Sequence, residues 1–286
     1  MEGISVVVVP GFLANANDYA ALAKELEKRG ARVEVAPWSA NDWLPTLVGG
    51  DFVRLLDKLD ACARALREEE EEGGKLVVVA HSAGGWLSRL WLGADVAYCG
   101  REPYRGRDIA RVLVTLGTPH ASKEAYPFGR ARERRGGESG RAMSLSDAAR
   151  GSSLALTNEI YPGAHERDVK YVAVTGALDF VGSDAFDFAG VVRKACRRFI
   201  DGDGGDAWRD GTKDIADAWR AYLAGVSYKA NTGGDARVVG DGICPASVAE
   251  LDGAEIVRVA CHHSPNARCD WYGSPAIVDA WVPYIL

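Results

Sequence analysis

The sequence predicts an α/β fold with a mainly parallel sheet and helices on both faces. Short runs rich in valine and isoleucine alternate with amphipathic stretches, which is the pattern of strand-helix units. The runs are almost continuously apolar, as expected of strands covered on both faces. With 286 residues, 47% of them hydrophobic and 26% charged, the chain has an ordinary globular composition. We therefore expect a single domain over residues 1–286.

Each element of this fold has its own local signal. The six apolar runs predict strands at Ser5–Val9, Arg32–Ala36, Leu76–Ala80, Arg111–Leu116, Tyr171–Thr175 and Glu255–Ala260. Helical periodicity predicts helices at Asn17–Arg29, Gly50–Glu72 and Trp86–Leu92. The first of these helices opens on an Asn-Asp capping signal and closes at Gly30, where a left-handed residue commonly ends a helix.

Two long segments interrupt the alternation, at residues 120–168 and 178–239. Each follows a strand, so we expect both to be insertions at one edge of the sheet, where long loops usually serve function. The first contains the apolar Tyr126–Phe128 and the stretch "SLALTNEIYP". These fit a lid that faces substrate and a flexible surface loop equally well. The arginines of Arg130–Arg141 either contact anionic lipid headgroups or are simply solvated.

Net charge, apolar runs and cysteines limit the kinds of partner and compartment to expect for this chain. A formal net charge of -6 argues against nucleic acid, which needs a concentrated basic surface. No run approaches the roughly 18 apolar residues of a membrane span, and "MEGISVVVVPGF" lacks the basic region of a secretory signal, so only peripheral membrane contact is expected. The cysteines lie far apart and indicate reduced thiols, with a Cys261–Cys269 bridge as the alternative. They are Cys62, Cys99, Cys196, Cys244, Cys261 and Cys269.

The stretch "KLVVVAHSAGGWLSRL" puts Ser82 between a buried strand and a helix. A serine hydroxyl becomes a nucleophile only when it projects beyond the backbone and a base takes its proton. A tight strand-to-helix turn projects it, and that turn requires small residues two positions before and after, here Ala80 and Gly84. Ser82 is the predicted nucleophile, against the alternative of an ordinary tight turn.

Two backbone amides are candidates for an oxyanion hole. The helix after Ser82 directs its first free N–H groups toward the site, which makes Ala83 the first donor. The second donor is expected from the loop after the first strand, "VVVVPGFLANANDY", where Gly11 permits a sharp turn and leaves the Phe12 N–H available. An ordinary loop whose Asn15–Asp18 segment caps the next helix is the alternative.

The base should follow the last strand, where His262 and His263 stand side by side. Adjacent residues that leave a strand point in opposite directions, so one of them reaches the site. We favour His263, because Ser264-Pro265 then turns the chain over the cleft, and keep His262 as the alternative. His81 is expected to face away from the site.

A carboxylate must orient that histidine and stabilise its charged form. Asp241 in "RVVGDGICPAS" lies between two glycines, and Asp179 in "TGALDFVG" directly follows a strand. An aspartate between glycines is often only a turn residue. The Asp-Gly-x-x-Pro pattern, combined with a serine and a histidine after their proper strands, favours Asp241 and leaves Asp179 second.

The segments "VVVVPGFLANANDYA", "VVVAHSAGGWLSR", "TLGTPH", "VVGDGICP" and "HHSP…WYGSPAIV" together resemble the α/β-hydrolase superfamily. The resemblance is to a lipase-like group related to GPI inositol-deacylases and found in plants and algae. It implies the α/β-hydrolase fold and ester hydrolysis by Ser82, Asp241 and His263, with no cofactor expected. The cysteine pattern and the lack of a secretory signal predict a reducing compartment, the cytoplasm or the plastid stroma. The resemblance names no acyl chain, headgroup or oligomeric state.

This chain departs from the pattern of the group at three positions, and other functions compete with ester hydrolysis. The departures are Ala80 for glycine, Pro10 where many hydrolases have histidine, and Cys244 where such loops usually have valine. A non-catalytic binding protein could keep the fold, and an acyltransferase could use the same triad with an alcohol in place of water. A metal site is disfavoured because adjacent histidines cannot easily reach one ion. Its ligands would be Cys261, His262, His263 and Cys269.

Overall fold

The computed structural model describes residues 4–47, 50–68, 75–123, 153–179, 224, 226–235, 238–265 and 269–285. These residues contain a six-stranded sheet in the order β2-β1-β3-β4-β5-β6, with every neighbouring pair parallel. The strands are β1 Ile4–Val9, β2 Arg32–Val35, β3 Lys75–His81, β4 Ala110–Leu116, β5 Lys170–Gly176 and β6 Glu255–Val259. Each of the six predicted runs forms one strand, which confirms the predicted sheet.

Helices follow the strands and differ in detail from the predicted bounds. The named helices are α1 Ala20–Glu27, α2 Leu44–Leu47, α3 Val53–Glu68, α4 Ala83–Leu92, α5 Ser153–Ile160, α6 Ala246–Ala249 and α7 Pro275–Trp281, and residues 226–232 are also helical. The predicted helix Asn17–Arg29 is a 3-10 turn, Ala16–Tyr19, that leads into α1. Helix α4 begins directly after Ser82 rather than at Trp86, because Gly84 and Gly85 hide its first turn from helical periodicity.

The sheet is covered on both faces by apolar side chains. Val7 and Val9 point into one layer, which holds residues of α3 and α4, while Val6 and Val8 point into the other, which holds residues of α1 and α7. This alternation follows from the two-residue period of a strand. The edge strand β2 is an exception to continuous burial, since its side chains are exposed or half-buried along its length.

One stretch predicted as part of a lid lies in the core. Helix α5, which contains the "SLALTNEI" residues, packs against α4 and buries Leu154 and Leu156. The expectation that this stretch faces substrate is therefore wrong for these two side chains, because their burial in the core outweighs any surface role. The predicted lid segments Tyr126–Phe128 and Arg130–Arg141, and most of the second insertion, lie outside the described residues.

Parallel strands bring all their carboxyl ends to one edge of the sheet, and the candidate residues lie there. The loop after β1 carries Gly11 and Phe12, the turn after β3 carries Ser82, and the segment after β6 carries His263. Asp241 reaches the same edge from the segment before β6, where the Leu178 N–H, after β5, donates to the neighbouring Gly240 O at 2.8 Å. The topology therefore assembles one site from four separate parts of the chain.

Candidate active site

Ser82 occupies the turn between β3 and α4 in a backbone conformation that L-residues rarely adopt. Its φ is 51° and its ψ is -127°. Strain of this kind persists only when surrounding bonds enforce it. Here the Ser82 N–H donates to Leu116 O at 2.9 Å, and the Gly85 N–H donates to Ser82 O at 3.0 Å. The turn therefore holds the serine hydroxyl out at the carboxyl edge of the sheet.

Glycines around Ser82 allow three backbone segments to meet. A Cβ at Gly84 would lie 2.4 Å from Pro10 O, and one at Gly85 would lie 1.9 Å from Thr118 Oγ1. A Cβ at Gly11 would lie 2.8 Å from His81 Nδ1. Any side chain at these positions would push apart the β1 loop, α4 and the β4 loop, so the pattern "AHSAGG" is required by packing as well as by the turn.

The structure brings Ser82, His263 and Asp241 into one hydrogen-bonded series. His263 Nε2 lies 3.0 Å from Ser82 Oγ, and His263 Nδ1 lies 2.7 Å from Asp241 Oδ2. A carboxylate can only accept, so Nδ1 carries the ring hydrogen and donates it to Asp241. Nε2 is then free to accept from the Ser82 hydroxyl, which is the arrangement that a general base requires.

Asp241 is a buried carboxylate with a complete set of donors. Oδ1 accepts from the N–H groups of Ile243 at 2.9 Å and Cys244 at 2.7 Å, and Oδ2 also accepts from the Tyr272 hydroxyl at 2.8 Å. Burial alone would raise the pKa of Asp241, but the His263 ring and the backbone donors outweigh it and lower that pKa below its usual value. Asp241 is therefore ionised where His263 needs a counter-charge.

Two glycines leave the space that Asp241 occupies, one directly after β4 and one at the end of β5. A Cβ at Gly117, after β4, would lie 2.6 Å from Asp241 Oδ2, and Gly117 also has a φ of +57°. A Cβ at Gly176, the last residue of β5, would lie 2.4 Å from Asp241 Cβ. The acid loop rests on bare backbone at both places, so these two glycines determine whether the carboxylate reaches His263.

The two alternative residues lie nearby but take other positions. Asp179 is exposed beyond β5, and the carboxylate at His263 Nδ1 is that of Asp241. His262 forms a bridge with Trp271 and its N–H donates to Asp270 O at 2.8 Å, while its neighbour His263 faces Ser82. The geometry thus brings together the favoured residue of each pair.

The two predicted oxyanion donors flank Ser82. Ala83 is the first residue of α4, so its N–H has no acceptor within the helix. Among the hydrogen bonds of the described residues, neither the Ala83 N–H nor the Phe12 N–H is a donor. The Phe12 ring packs edge-on against Trp43 at 5.3 Å and fixes its loop. Phe12 lines a cleft of about 200 Å³ together with Ser82 and His263, and Ala83 directly follows Ser82 in the chain.

Sequence reasoning missed the residues beneath His263. His81 is buried, its Nδ1 lies 2.7 Å from the Tyr19 hydroxyl, and its Nε2 lies 2.9 Å from His263 O. The Tyr19 hydroxyl accepts from the Gly11 N–H at 2.8 Å. Burial, and then the charge of His263, lower the pKa of His81 to about 3. No local pattern marks these contacts, because the partners are distant in sequence.

In the described part of the chain, no three His, Cys, Asp or Glu side chains converge as ligands for the metal site that the sequence left as an alternative. Cys261 is a buried free thiol and Cys269 an exposed one, so they form no disulfide. Helices among the described residues are all too short or too polar to cross a membrane.

We compared the chain with protein-family models, with curated proteins and with solved structures, and only the solved structures match. No protein-family model matches the chain, and no curated protein matches it in sequence. A metagenomic carboxyl esterase matches with a TM-score of 0.50 and 15% identity, over 100% of this chain and 76% of that one. A Staphylococcus hyicus lipase matches with a TM-score of 0.47 and 13% identity, over 99% and 95% of the two chains.

The parallel sheet and the similarity to the carboxyl esterase show that this chain has the α/β-hydrolase fold, as the sequence predicted. These two solved structures are named as a carboxyl esterase and a lipase. The narrower resemblance to the group related to GPI inositol-deacylases stays a prediction.

Proposed function

We propose that this chain is a serine hydrolase that cleaves carboxylic esters through an acyl-enzyme. One observation carries the proposal: Ser82 Oγ, both ring nitrogens of His263 and the Asp241 carboxylate form an unbroken hydrogen-bonded series at a strained turn. A buried carboxylate, a neutral imidazole and a projecting hydroxyl in this order activate a nucleophile. The name of the similarly folded carboxyl esterase supports the same class of reaction.

Acylation begins when His263 Nε2 takes the Ser82 proton as Oγ bonds to the ester carbonyl carbon. The carbonyl electron pair moves onto oxygen, and the N–H groups of Phe12 and Ala83 stabilise the resulting oxyanion. The carbonyl then re-forms, the bond to the alcohol oxygen breaks, and His263 gives its proton to that oxygen. The alcohol leaves and the acyl group stays on Ser82.

Deacylation repeats these steps with water. His263 Nε2 takes a proton from water as the oxygen attacks the acyl carbon, and the same two amides hold the second oxyanion. The bond to Ser82 Oγ then breaks, the proton returns to Oγ, and a carboxylic acid is released. Throughout, Asp241 accepts from His263 Nδ1–H and stabilises the imidazolium without becoming protonated itself.

A lipid acyl ester is the substrate class that we propose within this reaction. Its support is the sequence resemblance to the lipase-like group related to GPI inositol-deacylases, together with the apolar Leu13 side chain exposed at the cleft. We also propose a reducing compartment, because the cysteines in the described residues are free thiols.

Ser82→Ala tests the proposal, with Ser88→Ala as its matched control. Ser88 lies in α4, the helix that follows Ser82, and its hydroxyl donates to Gly84 O at 2.7 Å. Ser88→Ala therefore also removes a serine hydroxyl, here one that is fully buried. The assay combines labelling by a fluorophosphonate probe with hydrolysis of p-nitrophenyl esters of increasing acyl length. We expect the wild-type protein and Ser88→Ala to be labelled and active, and Ser82→Ala to be neither.

Retained hydrolysis by folded Ser82→Ala would contradict the assignment of the nucleophile. Probe labelling of the wild-type protein at another serine would contradict it equally. Adding a primary alcohol to the assay and measuring the new ester separates acyl transfer from hydrolysis, because both pass through the same acyl-enzyme.

A further inference from the structure

A second hydrogen-bonded series runs beneath the candidate triad and joins two loops that carry its parts. It begins at the Gly11 N–H, passes through the Tyr19 hydroxyl and the His81 ring, and ends at the carbonyl oxygen of His263. Tyr19 and His81 are both buried, and neither has a place in the proton transfers described above. The series connects the residue before Phe12 with the backbone of the base.

The chemistry of the two ends fixes the direction of every bond in this series. The His263 carbonyl can only accept, so His81 Nε2 carries a hydrogen and donates it. The Gly11 amide can only donate, so the Tyr19 oxygen accepts there and uses its own hydrogen toward His81 Nδ1. Nδ1 is then the acceptor, which makes His81 a neutral ring with its hydrogen on Nε2. Burial favours the same neutral form.

We infer that Tyr19 and His81 are positioning residues, which hold the backbone of His263 and the oxyanion loop in one fixed arrangement. The inference rests on the proposed function and extends it to residues that never touch the reacting atoms. His263 is held from both sides of its own backbone, since its N–H donates to Asp241 O at 2.9 Å while its carbonyl accepts from His81. Ring orientation toward Ser82 depends on both anchors.

The same series links the loop that carries Phe12, the proposed oxyanion donor, to the backbone of His263, the proposed base. Gly11 approaches His81 and Ser82 so closely that a Cβ would lie 2.8 Å from His81 Nδ1 and 3.0 Å from Ser82 Cβ. Tyr19 holds the Gly11 amide in that position. A displacement of about 1 Å between reacting groups can cost about 10²-fold in rate, so the link has a measurable consequence.

Tyr19→Phe tests the inference, and Tyr98→Phe is its matched control. The Tyr98 hydroxyl is also buried, also accepts from a backbone N–H, that of Phe52 at 3.2 Å, and also bonds to a side chain, Ser153 Oγ at 2.8 Å. Both variants lose the same chemical group from the same kind of setting. We expect kcat to fall about tenfold to hundredfold in Tyr19→Phe, with KM within about threefold of the wild-type value, while Tyr98→Phe keeps its kcat within twofold.

Two replacements of His81 provide a rescue. Glutamine can place an amide N–H near the position of Nε2 and donate to the His263 carbonyl, whereas leucine cannot. We therefore expect His81→Gln to keep a higher kcat than His81→Leu. The double variant Tyr19→Phe/His81→Leu should lose no more than about twice what His81→Leu loses alone, because residues that act as one unit are not additive.

A spectroscopic measurement tests the bond directions without using activity. In ¹⁵N-labelled wild-type protein, two-bond ¹H–¹⁵N correlations should show His81 as the neutral ring with its hydrogen on Nε2. An Nδ1–H tautomer or an imidazolium at neutral pH would overturn the inference, as would a kcat for Tyr19→Phe no lower than that of Tyr98→Phe.

These outcomes are distinct from failure of the proposed function. If the wild-type protein is neither labelled by the fluorophosphonate nor active on esters, the proposed function fails, whatever the state of His81. If the wild-type protein is labelled at Ser82 and active, a normal kcat in Tyr19→Phe overturns the positioning role alone.

Discussion

Two histidine rings lie 4.7 Å apart in this molecule, and their partners give them opposite capacities. His263 lies between a carboxylate and a hydroxyl, so a positive charge on its ring has a counter-ion. His81 lies between a hydroxyl and a carbonyl, and its pKa falls to about 3 because burial penalises the charge. The carboxylate beside His263 and the burial of His81, more than proximity to Ser82, therefore decide which imidazole can act as a base.

The largest expected effect comes from removing the imidazole that has the counter-ion. We expect His263→Ala to lose about 10⁶-fold in kcat, because the proton of Ser82 then has no acceptor. Ester hydrolysis and the rate of fluorophosphonate labelling both measure it. If His263→Ala retained more activity than His81→Leu, the roles of the two rings in the comparison would be reversed.

Removing only the counter-ion of His263 should have the next largest effect. Asp241→Asn is expected to lower kcat by about 10⁴-fold, because an amide cannot hold the same tautomer or stabilise the imidazolium. Asp179→Asn, which changes the exposed acid beyond β5, should stay within twofold. Steady-state hydrolysis of a p-nitrophenyl ester measures both variants, and losses of equal size would leave Asp241 without a special role.

A smaller effect is expected when Asp241 loses one of its donors. Tyr272→Phe removes the hydroxyl that donates to Asp241 Oδ2, and a hydrogen bond to a charged group contributes about 1.5–3 kcal/mol to stability. We expect the free energy of unfolding in urea to fall by about that amount, and kcat to fall by less than about tenfold. Tyr284→Phe, whose hydroxyl makes no bond to Asp241, is the control. Equal unfolding curves for the two variants would contradict the prediction.

The last prediction concerns stability in acid and tests the other ring. In the unfolded chain, His81 takes up a proton as the pH falls through its usual pKa of 6.5. In the folded chain its pKa is about 3, so it stays neutral until the pH is much lower. Protonation between these values therefore stabilises the unfolded state, and wild-type stability falls as the pH falls. Relative to His81→Gln, the wild-type protein should lose about 1.4 kcal/mol for each pH unit across the middle of this range.

Urea unfolding of both proteins between pH 6.5 and 4 measures this difference. His120 and His165 also have lowered pKa values, chiefly through burial, but they are present in both proteins and cancel. Parallel dependence on pH in the two proteins would mean that His81 is protonated at its usual pKa in the folded chain.

Local patterns identify the candidate nucleophile and, together with the placement of the serine and the histidine after their strands, favour the candidate acid. Ser82 was predictable because strand, small residues and helix follow one another within a few positions, and the structure has them in that order. Asp241 was predictable because Asp-Gly-x-x-Pro forms a turn whose own amides, those of Ile243 and Cys244, bind the carboxylate. In both cases the residues that determine the conformation are neighbours in sequence.

The supporting residues could not be predicted in this way. Tyr19 and His81 meet only because β1 and β3 are adjacent in the sheet, and Tyr272 reaches Asp241 from beyond the last strand. Their roles depend on strand order and on the depth of burial, which single-sequence patterns do not contain. The start of α4 was misplaced for a related reason, since its glycines are required by contacts with other loops.

The carboxylate of the candidate triad depends on two glycine positions that contribute no functional atom. Gly117 and Gly176 leave a gap the size of one methyl group each, and Asp241 fills it from above. An alanine at either position would dislodge the acid while leaving serine, histidine and aspartate unchanged in the sequence. Chains of this fold that have lost their activity can therefore keep all three residues, and the inactivating change is to be sought in the ends of the strands.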